Sequence, residues 1–533
     1  MVAAASTKDD DFQPFPIKDQ LPGVEYCANS NPCWYEALVL GFQQYVVMLG
    51  TTVTIPTLLV PLMGGGDVEK AEMINTLLFL SALSTLLQTW FGTRLPVVMG
   101  GSYAFVIPAM SIALSVNSSN SSAKLSDHDR FKKSMAAIQG AITIASLFQV
   151  AIGYFGLARV CSRFLSPLAA APLVILTGLG LFVHGFPQVA RCAEVALPAL
   201  VLLVFLSQYL PHMLNSKRTI SDRFGVLITV AVAWLLAEIL TASGAYDKSS
   251  PKTQTSCRTD RSGLISAAPW IKFPYPYQWG KPTFDAGFVF AMMAACLVAA
   301  IESTGTFVAA SRYASCTPVP PSVLSRGIGW QGVGTLLNGL CGAPTGSTAS
   351  VENVGLLGLT RVGSRRVVQV SAGFMLFFSI LGKFGAVVAS IPLPIFGAVY
   401  CVLYGYMASA GVGLLQFCHL NSFRSKFILG FSLFLGLSIP QYFSEVVIVT
   451  GHGPFHTSST WFNDMMQVIF TSQGTVAFLV AFFLDSTHTR GHKSTRRDSG
   501  RHWSEKFIYF CQDTRTEEFY CLPYNLSNYF PSF

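Results

Sequence analysis

The stretch SVENVGLLGLTR fills residues 350–361, between two long apolar regions. Glu352 and Asn353 open it, and Thr360 and Arg361 close it. A carboxylate at bilayer depth costs about 2.5–3.5 kcal/mol on insertion scales, so an acid at the head of a short apolar helix needs a partner or a task. Whether the surroundings are hydrocarbon decides how the stretch is read.

Composition answers that. Of 533 residues, 51% are hydrophobic and 12% charged, and the mean hydropathy is +0.48. A soluble domain carries roughly 25% charged residues. Apolar runs long enough to cross about 30 Å of hydrocarbon recur from Ala37 to Leu484. The expected fold is an all-α polytopic membrane protein of fourteen segments: 37–62, 73–93, 97–115, 136–157, 167–186, 193–211, 223–242, 284–310, 323–340, 346–361, 367–391, 394–416, 425–444 and 466–485. No secretory signal is read in residues 1–36, where Asp9, Asp10 and Asp11 interrupt any apolar run.

The formal charge of +8 is not a nucleic-acid footprint, because the basic residues sit in short loops and the tail. Arg94, Arg159, Arg163, Lys217, Arg218, Arg312, Arg361, Arg365, Arg366, Arg424 and Lys426 fall on one side, with Arg490, Lys493, Arg496, Arg497 and Arg501 of the tail. That bias places both termini in the cytoplasm. Lys124, Arg130, Lys132 and Lys133 go against it, in an outer loop that also holds sequons at Asn117 and Asn120. Twelve cysteines show no CxxC or Cys/His spacing, so neither a metal nor a cofactor is expected. Cys296, Cys341 and Cys401 read as packing residues. A disulfide between Cys192 and Cys257 in outer loops is conceivable but not expected.

Seven spans plus seven imply an inverted repeat, since an odd number per half reverses the second half. The third segment contains GGSYAFVIPAM and the tenth GAPTGSTASVENVGLLGLT, both interrupted by Gly and Pro. Broken segments at matching positions are the sequence pointer to a transporter site near the midplane. With residues 346–351 extended, a short helix starts near Asn353 and a facing one near Ala104. Their unpaired N–H groups and positive dipole ends meet at the break. Extended backbone at that depth must pair or line a cavity. The chamber so formed holds Glu352, Asn353, Glu302 from the eighth span and Tyr103 as a wall, a set suited to a planar heterocycle with N–H donors. For both acids the plain alternative is an internal salt bridge. Glu238 reads as interfacial, Lys383 as snorkelling or internally paired, and Gln43, Gln44, Gln331 and Asn338 as interhelical hydrogen bonders.

These residues resemble the nucleobase–ascorbate transporter family, also called nucleobase cation symporters of the second type. The family signature, Gln/Glu/Pro-Asn-x-Gly-x-x-x-x-Thr-Arg/Lys/Gly, is met by Glu352, Asn353, Gly355, Thr360 and Arg361. GSYAFVIPAM and AAIESTGTF are similar to the family's third and eighth spans, and the tail EEFYCLPYNLSNYFPSF to its plant members. The resemblance implies a core domain (37–157 and 284–391) moving past a gate domain (167–242 and 394–485), with an outer loop at 243–283 and a tail at 486–533. It implies elevator transport by a homodimer joined through its gate domains. Substrate would be held by Glu302, Glu352, Asn353, Ser102 and Tyr103; Gln44, Gln331, Gly355, Thr360 and Arg361 would tune coupling or translocation. Gln44 and Gln331 stand where many members have His and Asp, which leaves Glu302 and Glu352 as the proton carriers.

The expected activity is proton-coupled symport of nucleobases such as xanthine, urate or uracil across the plasma membrane, with a proton favoured over sodium. The alternatives are an ascorbate or anion transporter of the same fold, and a transport-silent member acting as receptor or channel. An integral-membrane enzyme is disfavoured because His128, His184, His212, His419, His452, His456, His488, His492 and His502 are scattered through loops and tail.

Overall fold

The computed structural model describes residues 19–118, 126–214, 220–260, 264–450, 453–488, 495–510 and 513–529. Asp9, Asp10, Asp11, Lys124, Lys217, Arg218, Arg490, Lys493 and the sequon at Asn120 lie outside them, and the sequon at Asn117 runs past them at Ser119.

Among the described residues, eight helices are long and apolar enough to cross a membrane, and two bent pairs raise the number to ten. The expected spans are recognisable throughout. Spans 1, 2 and 4 are Trp34–Met63, Asp67–Trp90 and Asp127–Tyr154, span 7 is Ile220–Ala242 and span 8 is Ala286–Tyr313. Spans 9, 12 and 13 are Pro321–Cys341, Leu393–Leu414 and Phe423–Thr450. Span 5 begins as Pro167–Leu179 and ends in the 3₁₀ segment Gly180–His184, and span 6 opens with Ala193–Val204. Their starts follow capping chemistry. Ser166 precedes Pro167 and accepts the N–H of Ala169, and Asp285 accepts those of Gly287 and Phe288.

Packing follows the seven-plus-seven repeat. Span 1 packs on span 11 as span 8 packs on span 4, and span 2 meets span 11 as span 9 meets span 4. Span 6 lies against spans 7 and 12 as span 13 lies against spans 14 and 5.

The third and tenth segments are broken as expected. Strand β1 (Met99–Gly101) pairs antiparallel with β2 (Ser347–Ala349), Gly100 opposite Thr348. A 3₁₀ turn (Tyr103–Phe105) and the helix Val106–Ser118 follow β1, and the helix Val351–Thr360 follows β2. The helix after β2 starts two residues before Asn353, and the turn after β1 starts one residue before Ala104. Pairing gives the two strands their missing backbone partners, as depth in hydrocarbon demands. Neighbours complete the set. The Thr85 hydroxyl accepts the N–H of Met99 at 2.9 Å, and the Thr335 hydroxyl accepts that of Ser347 at 3.1 Å.

Two further spans are broken where one straight helix each was expected. Span 11 bends by 110° between Arg365–Ile380 and Gly382–Ala389, and span 14 by 83° between Thr460–Thr471 and Gln473–Thr487. Leu381 is non-helical at the first bend, where Gly382 lies against the carbonyl of Pro269 in the loop after span 7. Lys383 Nζ donates to the carbonyls of Ile265 and Ser266 in that loop, so its charge is engaged there. At the second bend Ser472 caps the following helix, accepting the N–H of Thr475 at 3.3 Å.

The disulfide that was not expected is present: Cys192 is bonded to Cys257 across 65 residues. It joins the turn before span 6 to the short helix Pro251–Cys257. Closing a loop of that length stabilises by about 4 kcal/mol in the chain-entropy picture. Cys192→Ser combined with Cys257→Ser should therefore lower the melting temperature of the solubilised protein. If thiol counting gave the same number with and without reductant, the bond would be absent.

The tail is folded against the bundle. Trp503 stacks on Phe417 at 3.5 Å, beside span 12. Arg326 and Arg365 donate to the carbonyls of Tyr520 and Phe519, each at 3.0 Å, and Arg94 donates to that of Cys521. The guanidinium groups thus meet the carbonyl end of the helix Thr514–Tyr520, where a helix dipole favours positive charge.

Candidate functional site

A cavity of about 250 Å³ lies where β1 and β2 pass into their half-helices. That is just under the roughly 300–1,000 Å³ of small-molecule sites, room for one compact ring system. Ser102, Tyr103, Glu302, Glu352 and Thr51 line it, and Thr177, Gly180, Ser472 and Gln473 close it from spans 5 and 14.

Both carboxylates reach this cavity without a cation. Glu352 is 3% exposed and accepts a hydrogen bond from the Thr51 hydroxyl of span 1 at 2.5 Å. Glu302 accepts one from Ser472, at the bend of span 14, at 2.6 Å. Among the described residues neither acid takes part in an ion pair, so the salt-bridge alternative is set aside. Glu238 instead accepts from Thr259 near the end of span 7.

Ser102 caps the turn after β1, accepting the N–H of Ala104 at 3.3 Å, while its own N–H donates to Thr345. Tyr103 walls the cavity, and its ring is stacked on His184 with centroids 4.1 Å apart.

Asn353 does not line the cavity. Its amide accepts from Ser350 at 2.6 Å and donates to the backbone and side-chain oxygens of Gln44 at 2.8 and 2.7 Å. It ties span 10 to span 1. Gln331 likewise braces β2, donating to the Ser347 carbonyl at 3.0 Å and the Ala299 carbonyl at 3.3 Å. Gly355 lets the half-helix touch the backbone of Leu403 in span 12. Thr360 and Arg361 end the half-helix, about 12 Å along its axis from Glu352. Thr360 donates to the Leu356 carbonyl, and Arg361 takes the left-handed conformation that stops the helix.

Asn353→Ala is thus expected to leave the Gln44 carboxamide unpaired, a loss of about 1–3 kcal/mol. The melting temperature should fall while KM stays near its starting value; a large rise in KM at unchanged stability would put Asn353 in the ligand's path.

Thr51, His184, Ser472 and Gln473 were not singled out from sequence as site residues. Ser472 caps its helix through the backbone N–H of Thr475, a bond that no residue type marks in the sequence. For Thr51 and His184, no local pattern separates them from ordinary span residues.

A polar chamber between two facing half-helix starts, inside a bundle of apolar spans, is the architecture of a membrane permease, and residues 35–445 match the model of the Permease family. Relatives narrow this. Nucleobase-ascorbate transporter 4 of Arabidopsis thaliana is 66% identical over 528 residues, covering 99% of this chain and all of that one. Nucleobase-ascorbate transporter 6 of the same plant is 59% identical over 529 residues, covering 99% of each. The chain belongs to the nucleobase–ascorbate transporter family. Among solved structures it is similar to the transmembrane domain of a cyanobacterium bicarbonate transporter, BicA, at 15% identity and a TM-score of 0.42, over 84% of this chain and 100% of that one.

Proposed function

We propose that this transporter carries a nucleobase, such as xanthine, urate or another purine, or uracil, together with a proton. The observation that carries the reading is the pair of acids, Glu302 and Glu352, each facing one cavity with a hydroxyl partner and, among the described residues, no ion-pair partner. An unpaired buried carboxylate is costly as an anion. Its charge is compensated when it takes up a proton or accepts N–H groups from a ligand. A nucleobase edge supplies such donors, and two acceptors lining one cavity can take two of a ring's N–H groups.

Spans 1–4 and 8–11 form the core domain in this reading, and spans 5–7 and 12–14 the gate domain. Glu302 and Glu352 belong to the core, whereas Ser472 and Gln473 belong to the gate. The Glu302–Ser472 hydrogen bond would then break and reform as the core rises and sinks in an elevator cycle. Two copies would join through their gate domains in the plasma membrane, with termini in the cytoplasm.

Labelled xanthine should accumulate in cells that lack their own purine carriers, more strongly in acid medium, and a protonophore should abolish the gradient. Competition by urate, uracil and ascorbate then ranks the substrates. The relatives carry ascorbate in their names; ascorbate uptake without xanthine competition would favour that second reading. No uptake of either by protein at the cell surface would refute both.

A further inference from the structure

His184 stands apart from the cavity groups, because it does not line the cavity itself but covers a face of Tyr103, which does. Span 5 is a regular helix only to Leu179. Leu181 then departs from helical geometry, and the 3₁₀ segment Gly180–His184 leans over the cavity, with Gly180, Leu181 and Val183 in its lining. A Cβ at Gly180 would lie 2.2 Å from Oε1 of Gln473, so glycine there permits the close approach of spans 5 and 14. Gly185, with φ −90° and ψ −114°, ends the segment outside helical space.

The result is an imidazole laid on Tyr103, with centroids 4.1 Å apart and planes 20° from parallel. Tyr103 also packs against the apolar cluster that contains Phe105, Val106 and Val298. Stacked ring planes need about 3.5–4 Å each, so a third ring between the two would require roughly 7 Å. His184 and an aromatic substrate cannot share this face of Tyr103.

We propose that His184 is a positioning residue of the substrate site, an internal competitor that holds the stacking place on Tyr103 and yields it to the substrate ring. This rests on the nucleobase reading for the identity of the ring, though not for the Gly180–His184 segment acting as a lid. The segment carrying His184 contributes Gly180, Leu181 and Val183 to the cavity lining, so its swing also opens the cavity. A ligand enters the stack only by replacing the imidazole, which sets its apparent affinity below that of a bare Tyr103.

The test uses the full chain. An aromatic pair is worth about 0.5–1.5 kcal/mol beyond area burial, so His184→Ala should lower KM for xanthine by about two- to tenfold. His184→Phe, which keeps a ring on Tyr103, should restore a KM near the starting value. In a Tyr103→Leu background, His184→Ala should have no such effect. A KM that rises or stays fixed in His184→Ala, at normal surface level, would overturn the proposal.

A second readout needs no transport. Ala104→Cys places a thiol in the cavity wall, and its labelling above the background of the parent chain should quicken when His184→Ala is added. Unchanged labelling would overturn the lid. Faster labelling that no nucleobase slows would keep the lid and refute the nucleobase reading.

Discussion

Glu302→Gln is expected to abolish concentrative uptake in protein that still reaches the membrane. The substitution keeps the size of the side chain and a carbonyl oxygen for the Ser472 hydroxyl, whose bond to Glu302 is 2.6 Å. What it removes is the negative charge and the site for a transferable proton. A hydrogen bond to a charged partner contributes about 1.5–3 kcal/mol, so ligand affinity should fall by about ten- to a hundredfold. Coupling should fail outright, because an amide does not cycle a proton in the physiological range. Uptake against a gradient that survived in the variant would remove Glu302 from both roles. Ser472→Ala separates the two effects: it frees Glu302 from its gate-side donor and leaves the carboxylate intact.

Gly355→Leu should be the most damaging change outside the cavity. A Cβ at Gly355 would stand 2.2 Å from the carbonyl oxygen and 2.7 Å from the carbonyl carbon of Leu403. Those are backbone atoms of span 12, which cannot swing aside as a side-chain tip can. Overpacking even against side chains costs about 1–3 kcal/mol, and here the half-helix that carries Glu352 must move bodily. We expect Gly355→Leu to lose the folded protein and Gly355→Ala to lose about tenfold or more of transport. Gly358 supplies the contrast on the same helix. A Cβ there meets the ring of Tyr313 at 2.8 Å, the tip of a side chain rather than backbone although its hydroxyl is bonded to Tyr406 and Ser409, so Gly358→Ala should be milder. Equal losses at the two positions, by uptake and surface labelling together, would argue against backbone contact as the cause.

Much of the architecture is legible in the sequence because hydrocarbon imposes simple rules. Apolar length marks the spans. Gly100, Gly101 and Pro108, with Gly342, Pro344 and Gly346, mark the two breaks that become β1 and β2. Glu302 and Glu352 stand out because an acid at that depth is rare. The other features depend on contacts that no local pattern encodes. Leu381 is apolar, so hydropathy runs straight through the bend that Pro269 and Gly382 create. Ser472 resembles any span serine until the fold sets it opposite Glu302, 170 residues away. Cys192 and Cys257 share no motif and meet only because the loop after span 7 folds back on the start of span 6. His184 looks like an interfacial histidine, and only the unwinding of span 5 after Leu179 lays it on Tyr103.

The coupling claim is tested most directly with purified protein in sealed liposomes that hold a pH-sensitive dye. Adding xanthine on one side, with no imposed gradient, should drive protons inward with the base. Replacing Glu302 by Gln should abolish that flux, and sodium should be unnecessary for it. Xanthine entry without a proton signal in the unaltered protein, or an equal signal from Glu302→Gln, would contradict proton coupling through this acid.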